Sequence, residues 1–303
     1  MTQPAQVVFA AGKGTRLRPL TERRPKAVVP LLDIPLIDLA LDRDGSVDWA
    51  ARFVNVSHGA PVLREHLRGR SEVKLLDEGD EPLGTAATLR CLLPQVSEVV
   101  VTYNCDLVSD VDLSQLLRRH AQAKKPCTLA VQPVERGADL AVEADDLRFV
   151  DRRVEESAGF VFLGAACFDR RLLATIPPTT PLGLTEGLLK RAVEERKVAL
   201  FEHHGYARDA GTLKDYLEVS LDALDPAKLV IDSPGTKSPN GWYLGPAAEA
   251  AEASLGPGAI VLAGARIEKG TSLSECVVWP GSVIPAGLNL HRGIWFDGKF
   301  LPQ

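Results

Sequence analysis

A short apolar strand that runs straight into a glycine loop constrains this chain more than any other feature. Residues 6–10 read QVVFA, and Gly12, Lys13 and Gly14 follow at once. Glycines allow positive φ angles and close approach of the backbone, so successive amides in such a loop form a concave, positively polarised nest. A strand that ends in this kind of loop is typical of an α/β fold with an anion bound beyond the strand.

Two cationic side chains stand close to the loop in the sequence. Arg16 brings a planar, permanently charged guanidinium, and Lys26 comes from a Pro-Lys step that the proline holds extended. Together with the amide nest, these charges predict a polyphosphate ligand. A plain strand-to-helix turn with solvated cations remains the alternative for the loop taken alone.

Spacing excludes the two better-known glycine loops. A Walker A loop has four residues between its glycines and then Lys-Ser/Thr, whereas a single residue separates Gly12 from Gly14. A dinucleotide fingerprint would place its third glycine at the position of Leu17. The chain therefore carries a phosphate loop of another kind.

The stretch AAGKGTRLRPLT at residues 10–21, followed by ERRPKAVVP, resembles the signature of the sugar-1-phosphate nucleotidyltransferases, or nucleotide-sugar pyrophosphorylases. In that family G-x-G-T-R leads within a short distance to P-K. The resemblance implies catalytic roles for Arg16 and Lys26. It also implies nucleotide binding by these loop residues: Ala10, Ala11, Gly12, Gly14 and Thr15.

Residues 83–86 read LGTA and open a helical pattern over residues 86–93. A glycine and a threonine at a helix start can present N–H and hydroxyl groups to a planar ligand, and the missing side chain at Gly84 lets a base lie against the backbone. Alone, this is only a helix N-terminus. An L-G-T-A turn contacts the base in the family, so Gly84 and Thr85 are predicted to bind the nucleotide.

Two aspartates are predicted to hold Mg²⁺. Asp106 follows the apolar run at residues 99–103, and ligands of open α/β sheets lie beyond the carboxyl ends of strands. Its carboxylate is the hard oxygen ligand that Mg²⁺ takes while it bridges phosphates. The family has N-G-D here, from which Cys105 departs. Residues 206–212, YARDAGT, resemble the family's W-x-D-x-G-T motif, which implies Asp209 as the second ligand. Thr212 is predicted to cap the helix that follows it.

The sugar contacts are less well defined by the sequence. The family's Gly-Val-Val segment and Glu-Lys-Pro triplet have no counterpart at residues 135–156, where a hairpin through residues 144–146 is predicted and RRVEE occupies residues 152–156. Asn104 is predicted to bind the sugar. Gly159 could leave room for a hexose, with an ordinary strand start as the alternative.

Beyond residue 224 the composition and the periodicity of the sequence change. Residues 225–241 are rich in Pro, Gly and Ser and are predicted to be a linker between a first domain, residues 1–224, and a second, residues 242–303. In the second domain aliphatic residues and glycines recur every six residues, which predicts a short left-handed parallel β-helix. So few coils need a packing partner, either the first domain or another subunit of a homo-oligomer.

Alternating strands and helices over the first domain predict a Rossmann-like, mostly parallel sheet with helices on both faces. The net charge of −5 argues against a nucleic-acid partner. No apolar run approaches the roughly 20 residues that span a bilayer, and MTQPAQ lacks the features of a signal segment. A cytoplasmic protein without a membrane partner is expected.

The resemblance implies one reaction of nucleotide-sugar biosynthesis: a sugar 1-phosphate attacks the α-phosphorus of a nucleoside triphosphate, giving a nucleotide sugar and pyrophosphate. The motifs V-N-V-x-H at residues 54–58 and E-P-L-G-T-A at residues 81–86 are closest in look to mannose-1-phosphate guanylyltransferases, which favours GTP and mannose 1-phosphate. The alternatives are a uridylyl- or thymidylyltransferase on another hexose 1-phosphate, a non-catalytic regulatory subunit that binds a nucleotide sugar, and a β-helix acyltransferase.

Overall fold

A computed structural model describes residues 3–42, 46–143, 146–151 and 157–303. Contacts within the chain divide it into two compact units, each made of two segments. The first unit comprises Met1–Lys13 and Ala40–Ala207, and the second comprises Gly14–Leu39 and Arg208–Gln303. The domain limits at residues 224 and 241 stay a prediction.

The strands vary from short bridges to an 11-residue strand. In chain order they are β1 Ala5–Phe9, β2 Pro30–Leu31, β3 Ile34–Pro35, β4 Ala51–Val56, β5 Val73–Asp77, β6 Val99–Asn104, β7 Leu107–Ser109, β8 Cys127–Val134, β9 Leu140–Glu143, β10 Asp146–Phe149, β11 Gly159–Asp169, β12 Val198–Glu202, β13 Ala207–Asp209, β14 Thr236–Lys237, β15 Tyr243–Leu244, β16 Ser254–Leu255, β17 Ala259–Val261, β18 Arg266–Ile267, β19 Ser272–Val278, β20 Val283–Ile284, β21 Asn289–Phe296 and β22 Lys299–Pro302.

The helices are short. They are α1 Leu20–Arg23, α2 Leu36–Leu41, α3 Ala60–His66, α4 Thr85–Leu92, α5 Leu113–Ala123, α6 Arg170–Leu173, α7 Lys190–Glu194 and α8 Leu213–Asp222. Tight helical turns form at Thr15–Leu17 and Lys26–Val28, and a wide turn at Thr185–Leu189 leads into α7. Within the described part of the chain, no helix has the length and apolarity needed to span a bilayer.

The sheet of the first unit follows the spatial order β5, β4, β1, β6, β11, β8, β12. The strands from β5 to β6 are parallel, β11 is antiparallel to β6, β8 and β9, and β12 is parallel to β8. A mixed α/β fold with a sheet rich in parallel pairs is therefore confirmed. The hairpin of β9 and β10 is antiparallel, as predicted, and its turn at residues 144–145 lies outside the described residues, as do residues 152–156.

Helices cover both faces of this sheet. Cys127 in β8 lies in an apolar core that it shares with residues of α4, α6 and α7. The next residue, Thr128, accepts or donates a hydrogen bond with Nδ1 of His120 in α5, at 2.9 Å. Because successive residues of a strand point to opposite faces, α5 lies on the face opposite to the other three helices. The predicted two-sided covering of the sheet is therefore present.

The C-terminal part of the second unit is a stack of short parallel strands. Partners on neighbouring coils lie 17 residues apart, as in Ile260 with Val277 and Val277 with Ile294. A second row pairs Arg266 with Val283. The interval is close to three repeats of the six-residue period in the sequence. The parallel coils are thus present, while the left-handed β-helix stays a prediction.

Residues 14–39 belong to the second unit although they come early in the chain. The hairpin of β2 and β3 turns through Leu32 and Asp33, which adopt φ angles of 47° and 67°. Asp33 Oδ1 accepts from the backbone N of Ala263 at 2.8 Å, and the Tyr243 hydroxyl donates to Asp33 Oδ2 at 3.0 Å. Burial raises the pKa of Asp33 above its ordinary value. One half-buried carboxylate therefore anchors this hairpin on the coils.

Candidate functional site

The parallel strands of the first unit end at one edge of the sheet. Phe9, the last residue of β1, pairs with Asn55 in β4 and with Asn104 in β6. The backbone N of Cys105 donates to the carbonyl of Phe9 at 3.1 Å. The glycine loop and the Asn104-Cys105-Asp106 turn therefore start side by side at the carboxyl edge, where ligands of such sheets bind.

Ala10 and Ala11 open the glycine loop, and both are buried. Their amide groups donate to Asn55 Oδ1, at 2.7 Å from Ala10 and 3.3 Å from Ala11. Amides that are bonded to Asn55 are not available to a phosphate, so an amide nest can begin only at Gly12, which is exposed. Nucleotide binding by the two alanines stays a prediction, and it would have to use atoms other than these N–H groups.

Asn55 is part of a polar network that the sequence analysis missed. Its Nδ2 donates to Glu78 Oε1 at 2.9 Å, and the Thr88 hydroxyl donates to the same oxygen at 2.5 Å. The other carboxylate oxygen, Oε2, accepts from the backbone N of Leu83 at 2.8 Å. Asn55 is 3% exposed and Thr88 is fully buried. The available signal was a polar residue in an apolar strand, because buried polar groups need partners.

The Leu83–Thr85 turn has a different reason for its glycine than the predicted one. Gly84 adopts φ +87°, and a Cβ at this position would lie 2.5 Å from the carbonyl oxygen of Leu182. The missing side chain therefore makes room for the Leu182 backbone. Thr85 Oγ1 accepts from the backbone N of Leu184 at 2.9 Å. Contacts of Gly84 and Thr85 with a nucleotide stay a prediction.

The turn after β6 accommodates Cys105 without strain. Cys105 is buried and is absent from the residues that adopt a positive φ, so a glycine is not required there. Asp106 follows it and is partly exposed. Gly164, at φ +82°, would carry a Cβ only 2.3 Å from Asn104 Nδ2. Gly164, which the sequence analysis passed over, therefore makes the space in which the Asn104 side chain lies.

Gly159 also serves the packing of the chain. It adopts φ +152°, and a Cβ there would lie 2.2 Å from the carbonyl oxygen of Leu140 in β9. The space that the missing side chain leaves is thus filled by the neighbouring strand. Sugar binding by Gly159 stays a prediction.

In the second unit, Arg16 and Lys26 approach one point on the backbone. A Cβ at Gly211 would lie 3.3 Å from Arg16 Nη2 and 3.9 Å from Lys26 Nζ. Gly14 adopts φ +61°, and a Cβ there would lie 3.1 Å from Lys26 Cβ. Arg16 is exposed, whereas Lys26 is only 9% exposed. Two positive charges therefore converge on the segment that carries Asp209.

Asp209 lies at the end of β13 and is exposed. Three residues later, Thr212 Oγ1 accepts from the backbone N of Asp215 at 3.1 Å at the start of α8, which confirms the predicted cap. The hydroxyl of Thr212 also lies 2.7 Å from Asp215 Oδ2, to which it donates. The capped helix fixes the chain just after the aspartate.

The donor set suits Mg²⁺ better than a metal held by the protein alone. Among the described residues, no group of three or more His, Cys, Asp or Glu side chains could hold a metal ion. Mg²⁺ is commonly bound by one or two carboxylates, with substrate phosphates and waters completing its coordination. Asp106 and Asp209 carry hard oxygen atoms of that type, and their role as metal ligands stays a prediction.

Comparison with known proteins identifies the family. A family model described as nucleotidyl transferase matches residues 5–225. The chain belongs to this family. Mannose-1-phosphate guanylyltransferase of Mycobacterium tuberculosis is 26% identical to this nucleotidyltransferase over 291 residues, which cover 87% of this chain and 81% of that protein. Mannose-1-phosphate guanylyltransferase catalytic subunit beta of Danio rerio is 28% identical over 225 residues, or 70% of this chain and 62% of that protein.

A solved structure supports the fold of the nucleotidyltransferase. It is assigned as a glucose-1-phosphate thymidylyltransferase from Bacillus anthracis and superposes with a TM-score of 0.61 at 17% identity, covering 71% of this chain and 93% of that chain. At this identity the likeness concerns the fold alone. Taken with the family match, the comparisons confirm the resemblance to the sugar-1-phosphate nucleotidyltransferases and the prediction of an enzyme of that kind.

Proposed function

We propose that this sugar-1-phosphate nucleotidyltransferase transfers GMP from GTP to mannose 1-phosphate, giving GDP-mannose and pyrophosphate. The observation that carries the choice of substrates is the similarity to a mannose-1-phosphate guanylyltransferase over 87% of the chain. That span is longer than residues 5–225, which the family model matches, so the similarity extends beyond residue 225.

In the proposed reaction an oxygen of the sugar phosphate forms a bond to the α-phosphorus, and the bond from the α-phosphorus to the bridging oxygen of pyrophosphate breaks. This chemistry needs positioning and charge neutralisation more than covalent catalysis. We assign the backbone of Gly12, Gly14 and Thr15 to the β- and γ-phosphates. Arg16 and Lys26 neutralise charge on the leaving pyrophosphate and around the α-phosphorus. Their convergence near Gly211 supports that assignment.

Asp106 and Asp209 are the proposed ligands of Mg²⁺. Both carboxylates are accessible, and Asp106 follows a strand at the carboxyl edge of the sheet, where substrate phosphates are expected. When bound, Mg²⁺ supplies neutralisation of phosphate charge. The two aspartates thus contribute by holding the ion against the substrates.

The base and the sugar are assigned to residues of the first unit. Gly84 and Thr85 are proposed to contact the base through their backbone, since the Cβ side of Gly84 is closed by Leu182. Asn104 is proposed to bind the sugar, because its side chain lies at the carboxyl edge in the space left by Gly164. Gly159 is a weaker second contact with the sugar.

Three further statements are proposals that rest on the sequence. The parallel coils form a left-handed β-helix, the protein is cytoplasmic, and it assembles as a homo-oligomer through the coils. Light scattering on the purified protein measures the oligomeric state. A monomer at micromolar concentration would remove the last of these proposals.

The test of the function is pyrophosphate release with Mg²⁺, in which GTP, UTP, dTTP, ATP and CTP are crossed with mannose, glucose, galactose and N-acetylglucosamine 1-phosphates. We expect one strong pair, GTP with mannose 1-phosphate. A single strong pair of another kind would replace the guanylyltransferase by the uridylyl- or thymidylyltransferase alternative. No turnover with any pair, in protein that still binds a nucleotide sugar, would refute the proposal in favour of a regulatory subunit.

A further inference from the structure

Glu78 follows the last residue of β5 and accepts hydrogen bonds from three different elements of the first unit. The donors are Asn55 Nδ2 in β4, the Thr88 hydroxyl in α4 and the backbone N of Leu83 in the turn before α4. A carboxylate that accepts several hydrogen bonds forms stronger bonds than a neutral acceptor. Glu78 is therefore a junction between parts of the chain that are distant in sequence.

The hydrogen-bond polarity of the junction is fixed by the backbone. Asn55 Oδ1 accepts from the amides of Ala10 and Ala11, so Asn55 Nδ2 is the atom that faces Glu78. The opposite Asn55 orientation would set an amide donor against two backbone donors. The chain of bonds runs from the first amides of the glycine loop through Asn55 and Glu78 to the backbone of Leu83.

We propose that Glu78 is a positioning residue that holds the start of the glycine loop and the Leu83–Thr85 turn in one fixed relation. The triphosphate and the base of a single nucleotide are then engaged together. This inference rests on the proposed function in one respect, namely that a nucleoside triphosphate is the ligand. It does not depend on which base or which sugar 1-phosphate the enzyme takes.

Small errors in this relation have large effects, because a displacement of about 1 Å at a reacting group can cost on the order of a hundredfold in rate. Thr88 is fully buried and Asn55 is 3% exposed, so water does not readily replace a lost partner. A buried donor that loses its acceptor carries its full desolvation penalty. Disturbing Glu78 therefore shifts the loop and the turn relative to each other.

The network permits a test by exchange of polarity. In Glu78→Gln, the side-chain amide of residue 78 must face either Asn55 Nδ2 or the backbone N of Leu83, and both are donors. In Asn55→Asp, two carboxylates face each other. In the double variant the carboxylate at position 55 accepts from the Ala10 and Ala11 amides and from the side-chain amide nitrogen at position 78. The side-chain amide oxygen at position 78 accepts from the backbone N of Leu83. The Thr88 hydroxyl keeps its contact with the Gly84 carbonyl, at 3.0 Å.

Each variant is measured for turnover with the best substrate pair, for GTP binding by calorimetry, for inhibition by tripolyphosphate, and for thermal stability. Each single substitution is expected to lower kcat/KM for the nucleotide by roughly tenfold to a hundredfold. Tripolyphosphate, which has no base, is expected to keep its inhibition constant within about threefold, because it does not need the turn. The double variant is expected to recover most of the loss. Asp80→Asn, an exposed neighbour of Glu78, serves as the control.

The inference is overturned if kcat/KM of the single variants matches that of the wild type, or if kcat/KM of the double variant is no higher than that of the worse single variant. It is also overturned if inhibition by tripolyphosphate weakens as much as binding of the nucleotide. The last result would mean that the network only maintains the fold. A wild-type protein without turnover would refute the proposed function instead, and GTP binding would still decide the role of Glu78.

Discussion

The two units hold their candidate residues by different means. In the first unit, hydrogen bonds from amides and a hydroxyl converge on Glu78 and fix backbone segments. In the second unit, Arg16 and Lys26 bring two positive charges to the backbone near Gly211. Fixed charges stabilise a transition state directly, whereas a network acts by placing other groups. Substitutions in the Glu78 network and at the two cations should therefore change different kinetic constants.

The largest effect is expected at the proposed metal site. Asp106→Asn should lower kcat by roughly a thousandfold, because a metal ion supplies several kcal/mol of charge stabilisation. Pyrophosphate release at saturating substrate measures the loss, and a Mg²⁺ titration shows whether higher metal concentration restores part of it. An Asp106→Asn enzyme within tenfold of the wild type would remove this aspartate from the proposed metal site.

The cations of the second unit should show the next largest effect. Lys26→Ala is expected to lower kcat by about a hundredfold, since a nearly buried charge acts with little screening on the phosphates that we propose it neutralises. Lys269→Ala removes an exposed lysine of the same unit and provides the matched control. Steady-state kinetics would contradict the comparison between the units if Lys26→Ala raised KM alone and left kcat intact.

The turn of the first unit should respond mainly in stability. Gly84→Ala places a Cβ 2.5 Å from the Leu182 carbonyl in addition to a positive φ, whereas Gly79→Ala at φ +77° meets nothing within 4 Å. The free energy of unfolding should fall by about 3 kcal/mol for Gly84→Ala and about 1 kcal/mol for Gly79→Ala. Urea denaturation measures both values. Equal losses would mean that the backbone angle, and not the contact with Leu182, demands the glycine.

The smallest effect is a pH dependence in the second unit. Burial raises the pKa of Asp33 above its ordinary value of 3.8. The folded state then binds this proton more tightly than the unfolded state, so the contribution of Asp33 to the free energy of unfolding falls as pH rises from the ordinary pKa through the raised one. Asp33→Asn should remove this part of the pH dependence of the free energy of unfolding, which is measured from urea denaturation at a series of pH values. An unchanged pH dependence in Asp33→Asn would mean that other titratable groups cause it.

Much of the chain could be predicted because local patterns determine it. The apolar runs at residues 6–10 and 99–103 correspond to β1 and β6, and the Thr212 cap follows from a threonine before a helical pattern. Arg16 and Lys26 could be selected as candidates because they lie close to the glycine loop in the sequence. The pattern of glycines pointed to Gly84 and Gly159, where a Cβ would collide with neighbouring backbone, and their contacts with a ligand stay a prediction.

The Glu78 network could not be predicted, since it depends on the register of the sheet and on partners 23 and 10 residues away. The same holds for Ala10 and Ala11. The sequence predicts that they bind a nucleotide, whereas in the structure their amides donate to Asn55. Nor does any periodicity connect residues 14–39 with the C-terminal coils. Contacts at such separations leave no local signature.

The anchor of Asp33 on Ala263 has a consequence for synthesis of the protein. The two residues are 230 positions apart, so a ribosome needs roughly 10–50 s to pass from one to the other. During that interval the nascent chain can complete the sheet of the first unit, while the hairpin that follows Arg16 and Lys26 still lacks its bond to Ala263. A nascent chain that stops before Ala263 would therefore carry a folded sheet but lack the bond from the Ala263 amide to Asp33, and we expect activity only after Ala263 has been made.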